Sequence, residues 1–343
     1  MSTIPTIFNE NFHSYTVVGG ANRLASTGIS AVLLNRNGRY ARRNLFHDLE
    51  KTGFDWVVSI ESSPDHYDVE ELAGRFPFVR FILLQQEISL GEQINLAASE
   101  LDSPLLFVLW NDLKIIAGGT AWRMAERLSV NREDSGSDET GQTPFKRLCT
   151  VPLILNSRFE TLPTLIAPAL RRRKVRTLFL SPKAEGLPSL YPFDGVGIYD
   201  RERFIRLGGF DGTLRNAHWQ LMDFGYRACL WGEEIAATQT LKLSYDGVIP
   251  AEDNTPTSDY FRFYLKNIAP VFRGDSAHLP LRRFPGYLFK SGGDPFSAWE
   301  DFSESRRWVR TNRFRWRCDA HSVPGRWDHP GAAEALFSRT GEA

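Results

Sequence analysis

The sequence predicts an α/β fold in which helices cover both faces of a mostly parallel central sheet, with a C-terminal extension after the sheet. From residue 29 to residue 112, continuous apolar runs alternate with amphipathic runs, and the apolar runs end in polar residues. Strands that are apolar along their whole length are typical of parallel sheets buried on both faces. We therefore divide the chain into an N-terminal segment (1–28), a central domain (29–250) and an extension (251–343) that packs on the central domain.

Each element is predicted from its periodicity and from the residues at its ends. The predicted order is strand 29–35, helix 39–53, strand 55–63, helix 68–76, strand 78–85, helix 89–101, strand 104–112 and strand 148–155. The Ser/Gly-rich acidic stretch 129–142 predicts a mobile surface loop. A short helix that ends in the basic run "RRRKVR" is predicted within 162–176, and strict alternation over 314–317 predicts a strand.

Composition limits the classes of function. The 343 residues, of which 42% are hydrophobic, suffice for a large core, and 41 basic residues balance 41 acidic ones. Without net charge, nucleic-acid binding is not expected. The cysteines are three, widely spaced and without a Cys-x-x-Cys pair, which favours a reducing, cytoplasmic setting. No apolar run approaches the roughly 18 residues of a membrane span, so at most a peripheral contact with the inner membrane surface is expected.

Polar residues follow three of the predicted strands. Asn35 and Arg36 end the first strand, Glu61 ends the second, and Asn111 and Asp112 end the fourth. In open α/β sheets, ligands bind beyond the carboxyl ends of the parallel strands. We therefore expect a binding crevice at this edge, with Asp112 at its mouth.

Five stretches in the expected order carry a family resemblance over residues 29–246. They are "AVLLNRNG", "LGEQINLA", "LWND", "GVGIYDRERFIRLGGFDG" and "HWQLMDFGYRACLWG". This set resembles the glycosyltransferase family 2 type of GT-A nucleotide-sugar transferase. The resemblance implies a Rossmann-like three-layer sandwich and the transfer of a sugar from a nucleotide-diphosphate donor to a hydroxyl of a saccharide or lipid-linked acceptor. Cell-surface glycan synthesis is the expected setting.

The resemblance also implies a metal site, because the family's Asp-x-Asp motif holds Mn²⁺ or Mg²⁺ against the donor diphosphate. A hard cation with oxygen ligands stabilises the charge on the leaving group. Asp112 matches the second carboxylate of that motif, and Asn111 offers a carbonyl ligand, but Trp110 stands where the first carboxylate belongs. Metal binding through the single carboxylate of Asp112 and metal-independent donor binding both remain open.

The donor residues implied by the resemblance lie on the first strands and the helix after them. Asn35 and Arg36 are expected near the nucleotide base and Glu61 near the ribose, while Gln93 and Asn95 are further donor contacts. An ordinary turn explains the first pair equally well. Ser89 and Glu92 form a capping box, which accounts for the start of the helix without any ligand.

The acceptor side is implied by the last two stretches. Gly208 and Gly209 resemble the family's loop beside the acceptor, although a helix C-cap explains Gly208 as well. Trp219 and Gln220 are expected to contact the acceptor, Trp219 by stacking on a sugar unless it is a core residue.

The general base is less clear, because Gln220 and Leu221 replace the family's usual carboxylates and a Gln side chain takes no proton. The catalytic candidates are Asp223, Asp211 and His218, with Asp194 and Asp200 as further carboxylates. His218 would act as a base or a metal ligand. A retaining enzyme without a protein base is the alternative.

Two other classes of function remain as rivals. One is a non-catalytic nucleotide-sugar or glycan-binding module, suggested by Trp110, Gln220 and Leu221. The other is a nucleotidyltransferase-like enzyme, disfavoured because no Gly-rich phosphate loop with Lys or Arg follows the first strand. Two basic stretches, 171–176 and 306–318, suggest an anionic surface or acceptor, but the first is also explained by a helix dipole and the second by a strand with Arg at its rim.

Overall fold

The computed structural model describes residues 13–36, 42–61, 69–117, 119–133, 146–171, 174–245, 249–292 and 294–327. The strands are β1 Tyr15–Gly19, β2 Ile29–Leu34, β3 Val57–Glu61, β4 Val79–Leu84, β5 Leu105–Trp110, β6 Leu113–Ala117, β7 Lys146–Leu155, β8 Leu165–Arg171, β9 Lys174–Leu180, β10 Gly197–Asp200, β11 Glu233–Tyr245, β12 Val271–Arg273 and β13 Ser276–His278. The helices are α1 Arg42–Thr52, α2 Val69–Arg75, α3 Leu90–Glu100, α4 Ala121–Glu133, α5 Arg201–Leu207, α6 Ala217–Trp231, α7 Ser258–Phe263, α8 Phe284–Ser291 and α9 Pro295–Asn312.

One large mixed sheet organises the chain, in the order β1-β4-β3-β2-β5-β10-β7-β11-β6. The strands β4, β3, β2 and β5 run parallel, whereas β10 inserts antiparallel between β5 and β7. Every residue of β2, β3 and β5 is buried. The predicted α/β class with a buried sheet is therefore confirmed, and its parallel block comes from the runs that are apolar along their whole length.

Local sequence explains where these elements begin and end. Ser89 caps α3 by accepting the Glu92 N–H at 3.4 Å, and the Glu92 side chain accepts the Ser89 N–H at 2.9 Å, which is the predicted capping box. Gly53 follows α1 with a φ of 77°, a left-handed conformation that glycine adopts at little cost. The helix predicted over 39–53 is observed over α1, and residues 39–41 lie outside the described residues.

The short helix predicted within 162–176 is wrong. Residues 165–171 form β8, which pairs antiparallel with β9, and Pro168 lies opposite Thr177. Proline inside a helix removes a hydrogen bond and clashes with the preceding turn, whereas a two-stranded hairpin has open edges that tolerate it. The described residues of the basic run, 171 and 174–176, belong to β8 and β9, so its explanation as a helix end is also wrong.

Two further predictions need correction. The strand predicted over 314–317 is absent, because α9 extends to Asn312 and a 3-10 turn follows at Arg313–Arg315. Trp316 packs against Trp231 and Trp308, so tertiary packing explains the alternation. Residues 129–133 of the predicted loop belong to α4, and the rest of that loop lies outside the described residues.

The two terminal regions contact the central sheet and its helices. β1, from the predicted N-terminal segment, pairs antiparallel with β4 at the edge of the sheet. α7 packs on α6, where Tyr260 and Phe263 lie 5.0 and 5.7 Å from the Trp219 ring, centroid to centroid. Within the described ranges, no helix combines the length and the apolar character needed to traverse a bilayer. The predicted division into three segments stays a prediction.

Candidate functional site

The carboxyl ends of β2, β3 and β5 bring together the polar residues that follow these strands. The Arg36 N–H donates to Asn111 Oδ1 at 3.1 Å, which joins the ends of β2 and β5. Asn35 Nδ2 donates to the Ile60 carbonyl at 2.9 Å and lies 3.3 Å from Glu61 Oε1, which joins the ends of β2 and β3. The structure therefore forms the edge of polar residues that the sequence predicts.

Arg36 lies at the centre of this edge between two carboxylates. Its Nε donates to Asp112 Oδ2 at 2.9 Å, and its Nη2 donates to Asp194 Oδ2 at 2.5 Å. The guanidinium carbon lies 4.1 Å from the centroid of the Trp110 ring, within the range of a cation–π contact. All three charged side chains are 13 to 19% exposed, so the cluster reaches the protein surface and is not part of the core.

Asp194 reaches this cluster through an uncommon backbone conformation. Its φ and ψ are 55° and 22°, in the left-handed region that few residues other than glycine adopt. The Trp110 Nε1 donates to its carbonyl at 2.9 Å, and the Tyr245 hydroxyl donates to its Oδ2 at 2.9 Å. Burial raises the pKa of Asp194 above its ordinary value, although the bonds from Arg36 and Tyr245 act in the opposite direction. The same carboxylates raise the pKa of Arg36 despite the opposing effect of its burial.

The side chains at this edge do not fit the expected divalent cation. Trp110 supplies no ligand atom, and the Asp112 carboxylate is occupied by Arg36. In the part of the chain that the structure describes, no three His, Cys, Asp or Glu side chains come together as a metal site. Among the described residues, the Arg36 guanidinium supplies a positive charge at this edge.

The donor residues predicted on α3 lie deeper than expected. Asn95 donates from Nδ2 to the Phe210 carbonyl and accepts the Phe210 N–H through Oδ1, both at 2.8 Å. Gln93 donates to the Ile88 carbonyl at 3.2 Å, and its buried Oε1 has no partner among the described residues. Asn95 thus holds the loop after α5, and this structural contact is its observed role.

The loop 208–211 combines a helix end with a buried ion pair. Gly208 is the C-cap of α5 with a φ of 93°, so the alternative explanation as a C-cap holds, and Gly209 follows with a φ of 61°. Asp211 accepts from Lys266 Nζ at 2.6 Å and from Arg262 Nε at 3.1 Å. These cations outweigh the effect of burial and lower the pKa of Asp211 far below its ordinary value.

Asp223 belongs to the same buried network. Its side chain is completely buried and accepts from Arg227 Nη2 at 2.9 Å, Lys266 Nζ at 2.9 Å and Asn267 Nδ2 at 2.8 Å. The charges of Lys266 and Arg227 lower its pKa despite burial. A carboxylate bonded in this way is a weak proton acceptor, so the arrangement favours a structural role for Asp223 and Asp211. Asp200 is likewise occupied as the N-cap of α5.

Gln220 joins α6 to the start of α3. Its Nε2 donates to Ser89 Oγ at 2.7 Å and to the Leu214 carbonyl at 2.8 Å, while its Oε1 accepts the Gly91 N–H at 2.9 Å. The residue is fully buried. An amide fits this position because the position needs a donor and an acceptor, and a carboxylate would supply only acceptors.

His218 forms a second polar cluster at the start of α6. Its Nδ1 lies 2.8 Å from Glu252 Oε2, and the same oxygen accepts from the Tyr191 hydroxyl at 2.8 Å. An ionised carboxylate only accepts, so Nδ1 donates and the neutral ring keeps its lone pair on Nε2. Trp219 is buried against α7 and donates to the Thr255 carbonyl at 2.9 Å, which favours its interpretation as a core residue.

Sequence reasoning missed three members of these clusters. Tyr245, Glu252 and Tyr191 were not predicted at the site, and Asp194 was named only as a further base candidate. Tyr191 and Asp194 frame the stretch "YPFD" directly before the Gly-rich segment at 195–197, and this position was the available clue. A separate cavity of about 380 Å³ between α4 and the sheet contains none of the predicted site residues.

Comparison with known proteins places the fold in one class. No protein-family model matches the sequence, and no curated protein matches it. The crystal structure of GalNAc-T7 with UDP, GalNAc and Mn²⁺ has a TM-score of 0.54 at 14% identity and covers 90% of this chain and 59% of that chain. The crystal structure of S. aureus TarS has a TM-score of 0.47 at 12% identity and covers 91% of this chain and 49% of that chain. The mannosyltransferase PcManGT from Pyrobaculum calidifontis in complex with GDP-Man and Mn²⁺ has a TM-score of 0.40 at 11% identity and covers 97% of this chain and 87% of that chain.

At these identities, the likeness concerns the fold. The chain has the α/β fold of the GT-A glycosyltransferases, as the resemblance implied. It spans 59% of the GalNAc-T7 chain and 49% of the TarS chain.

Proposed function

We propose that the chain is a glycosyltransferase that moves a sugar from a nucleotide-diphosphate donor to a hydroxyl acceptor. The observation that carries this proposal is the cluster of Arg36, Asp112 and Asp194 at the carboxyl edge of β2 and β5. In folds of this type, that edge is where ligands bind. A guanidinium there offers the charge that a leaving diphosphate requires.

Arg36 is the proposed partner of the diphosphate. Its Nε and Nη2 are held by Asp112 and Asp194, while no described residue accepts from its Nη1. Stacking on Trp110 restricts the remaining freedom of the side chain. A fixed fork of N–H donors binds phosphate oxygens with little further ordering, which favours both affinity and orientation. Asn35 and Glu61 are the proposed contacts of the nucleoside, because Asn35 precedes Arg36 at the end of β2 and contacts Glu61 at the end of β3.

In this proposal, the expected Mn²⁺ or Mg²⁺ only competes with Arg36 for the Asp112 carboxylate. GalNAc-T7 was crystallised with Mn²⁺, which favours a divalent cation in proteins of this fold. In this chain Trp110 stands in place of the first Asp-x-Asp carboxylate, and the second, Asp112, is paired with Arg36. We therefore propose that donor binding is carried by Arg36 and does not require a metal at Asp112.

On the acceptor side, His218 is the proposed general base. Its Nδ1 bond to Glu252 leaves Nε2 as the proton acceptor and fixes the ring, whereas Asp211 and Asp223 are both bonded to buried cations. Gly208 and Gly209 remain proposed acceptor contacts. Gln220 and Trp219 support them through the packing of α6.

The donor site is tested by calorimetry with UDP, GDP and their sugars. Arg36→Ala is expected to weaken the preferred nucleotide by about 10- to 100-fold, because charge-assisted hydrogen bonds contribute about 1.5–3 kcal/mol. The nucleotide affinity of Arg36→Lys should lie between those of the unmodified chain and Arg36→Ala, since lysine keeps the charge but lacks the fork of N–H donors. The matched control is Arg23→Ala, which removes another Arg–Asp pair, with Asp55, near the opposite ends of the same strands. Equal affinity of the Arg36 and Arg23 variants would refute the proposed site.

The base is tested by the transfer rate with bound donor. His218→Asn should lower the rate by about 100-fold or more with little change in nucleotide affinity. Glu252→Gln should lower it less, because the ring nitrogen keeps a hydrogen-bond partner. The exposed His47 provides the control substitution His47→Asn, which should leave the rate unchanged.

A non-catalytic binding module is the second candidate, favoured by the structural use of Gln220 where the resemblance expects a base. Nucleotide affinity without transfer or donor hydrolysis under any condition would support it. Release of pyrophosphate from a nucleoside triphosphate would instead support a nucleotidyltransferase.

The acceptor is proposed as a saccharide or a lipid-linked saccharide in cell-surface glycan synthesis. The three unpaired cysteines support the proposed cytoplasmic setting.

A further inference from the structure

The two most exposed large apolar side chains of the described residues lie on α8 and α9. Phe289 is 90% exposed and Phe296 is 85% exposed, and Trp299 and Leu281 are about half exposed. Apolar side chains at such exposure cost solvation free energy in a protein that meets only water. We call this region, with its basic neighbours, the α8–α9 surface; it comprises Leu281, Phe289, Lys290, Phe296, Trp299, Arg306, Arg307, Arg310 and Arg313.

The apolar and basic residues of α9 share one face. Phe296, Trp299, Ser303, Arg307 and Arg310 follow at intervals of three or four residues, as neighbours on a helix surface do. The opposite face is the one that is buried; its members are Ala298, Phe302, Ser305, Val309 and Asn312. The exposed face therefore begins with aromatic rings and ends with arginines.

A groove runs along this face. It has a volume of about 310 Å³ and is lined by Trp299, Leu281 and four arginines, at 306, 307, 310 and 313. Arg306 donates to the Leu279 carbonyl at 3.2 Å. Neither Arg307 nor Arg310 pairs with an acidic side chain of the described residues, and both are exposed.

The acidic residues of α9 are directed to other contacts. Asp294 caps the helix by accepting the Phe296 and Ser297 N–H groups, Asp301 accepts from the Tyr287 hydroxyl, and Glu304 pairs with Arg262. Glu300 is the exception, because it is exposed one turn after Phe296. The end of α9 that carries the four arginines is locally basic although the whole chain carries no net charge, whereas the carboxylates of Asp294 and Glu300 lie near Phe296 at the other end.

We propose that the α8–α9 surface binds the anionic headgroup layer of a phospholipid bilayer. Exposed aromatic rings beside arginines on a helix are the combination that an interface of apolar chains and phosphates accommodates. The arginines reach the phosphates while their stems and the rings of Phe289 and Phe296 enter the acyl boundary. This inference concerns a different part of the chain from the donor site and does not depend on the proposed transfer.

The test is cosedimentation of the full chain with vesicles of phosphatidylcholine alone or mixed in equal parts with phosphatidylglycerol. Binding is expected only to the mixed vesicles and should weaken with added salt. Arg307→Gln with Arg310→Gln should lower the partition coefficient roughly 25-fold, at about fivefold per arginine. Phe289→Ser with Phe296→Ser should lower it roughly tenfold or more. Both pairs of residues are exposed, so circular dichroism melting should be unchanged.

The matched control is Arg158→Gln with Phe159→Ser, an exposed arginine and an exposed aromatic ring in the turn between β7 and β8. It should bind the mixed vesicles like the unmodified chain. Four outcomes would overturn the proposal: equal binding to both kinds of vesicle, no binding to either, displacement by inorganic phosphate, or a dimer that Phe289→Ser with Phe296→Ser dissociates. The last two would assign the surface to a soluble anion or to a second copy of the chain.

Discussion

Arg36 donates to both carboxylate oxygens of Asp112, from Nε at 2.9 Å and from Nη2 at 3.3 Å. Asp112 is the carboxylate that the family resemblance assigns to a metal ion. Two cations close to the same carboxylate repel one another, and the repulsion grows as the site becomes drier. The guanidinium and a divalent cation are therefore alternatives at this position, and this relationship can be tested.

Nucleotide stabilisation should not depend on Mn²⁺. A nucleotide concentration of about a hundred times Kd adds about 2.7 kcal/mol to the free energy of unfolding, which raises the melting temperature by about 5 °C. Because Arg36 is paired with Asp112, we expect the nucleotide to raise the melting temperature equally with Mn²⁺ and with EDTA. Arg36→Ala frees the Asp112 carboxylate, so in this variant the remaining rise in melting temperature should depend on Mn²⁺. A rise in the unmodified chain that EDTA abolishes would contradict the assignment of Arg36.

Restoring a carboxylate at position 220 should destabilise the protein. Gln220→Glu replaces a donor to Ser89 Oγ and the Leu214 carbonyl with an acceptor, in a fully buried position. We expect a loss of at least about 2 kcal/mol in the free energy of unfolding, measured by urea denaturation. The exposed Gln85→Glu should change it by less than about 0.5 kcal/mol. Increased transferase activity in a stable Gln220→Glu variant would contradict the structural role.

The buried network around Lys266 should make stability depend on acidic pH. The folded pKa values of Asp211 and Asp223 are lowered, so the unfolded chain binds more protons there and their contribution is present above the ordinary pKa of about 3.9. This contribution is lost as the pH falls below that value towards the lower folded pKa.

Asp223→Asn should therefore flatten the acid limb of the curve of stability against pH. At pH 7 it should cost about 3–5 kcal/mol, because it removes the buried carboxylate that pairs with both Arg227 and Lys266. Glu202→Gln, which breaks an exposed pair with Arg206, should cost at most about 1 kcal/mol. Parallel acid limbs for Asp223→Asn and the unmodified chain would show that the network does not supply the pH dependence.

Two helical glycines should respond to alanine in opposite directions. A Cβ on Gly225 of α6 would lie 2.2 Å from the Leu190 carbonyl oxygen, whereas one on Gly74 of α2 would meet nothing within 4 Å. Gly225→Ala should cost about 1–3 kcal/mol or more, and Gly74→Ala should stabilise by about 0.5–1 kcal/mol. Thermal unfolding measures both. Leu190 leads into Tyr191 and Asp194, so Gly225→Ala should also weaken nucleotide binding, and unaltered affinity would show that this segment tolerates the shift.

Predictions from local pattern succeeded where burial on both faces fixes the element. The strands β2, β3, β4 and β5 and the capped helix α3 follow from continuous apolar runs and from Ser89 with Glu92. The helix expected near Pro168 and the strand expected near Trp316 were wrong, because partners distant in the sequence decide those segments. Short-range periodicity does not show which distant strand pairs with a segment or which distant residues pack against a tryptophan.

The candidate site divides in the same way. That Asn35, Arg36, Glu61, Asn111 and Asp112 lie at one edge follows from the sequence, because parallel strands end together. That Arg36 turns onto Asp112 and meets Asp194, 158 residues away, does not follow from it.

The sequence by itself determined the layered α/β class and the row of polar strand ends, because alternation and apolar length are local properties. Only the tertiary structure decided which charges meet, placing a guanidinium on Asp112, burying Asp223 against Lys266 and setting Glu252 on His218. The physical reason is that an ion pair depends on distances of a few ångströms between groups far apart along the chain, and the folded packing alone fixes those distances.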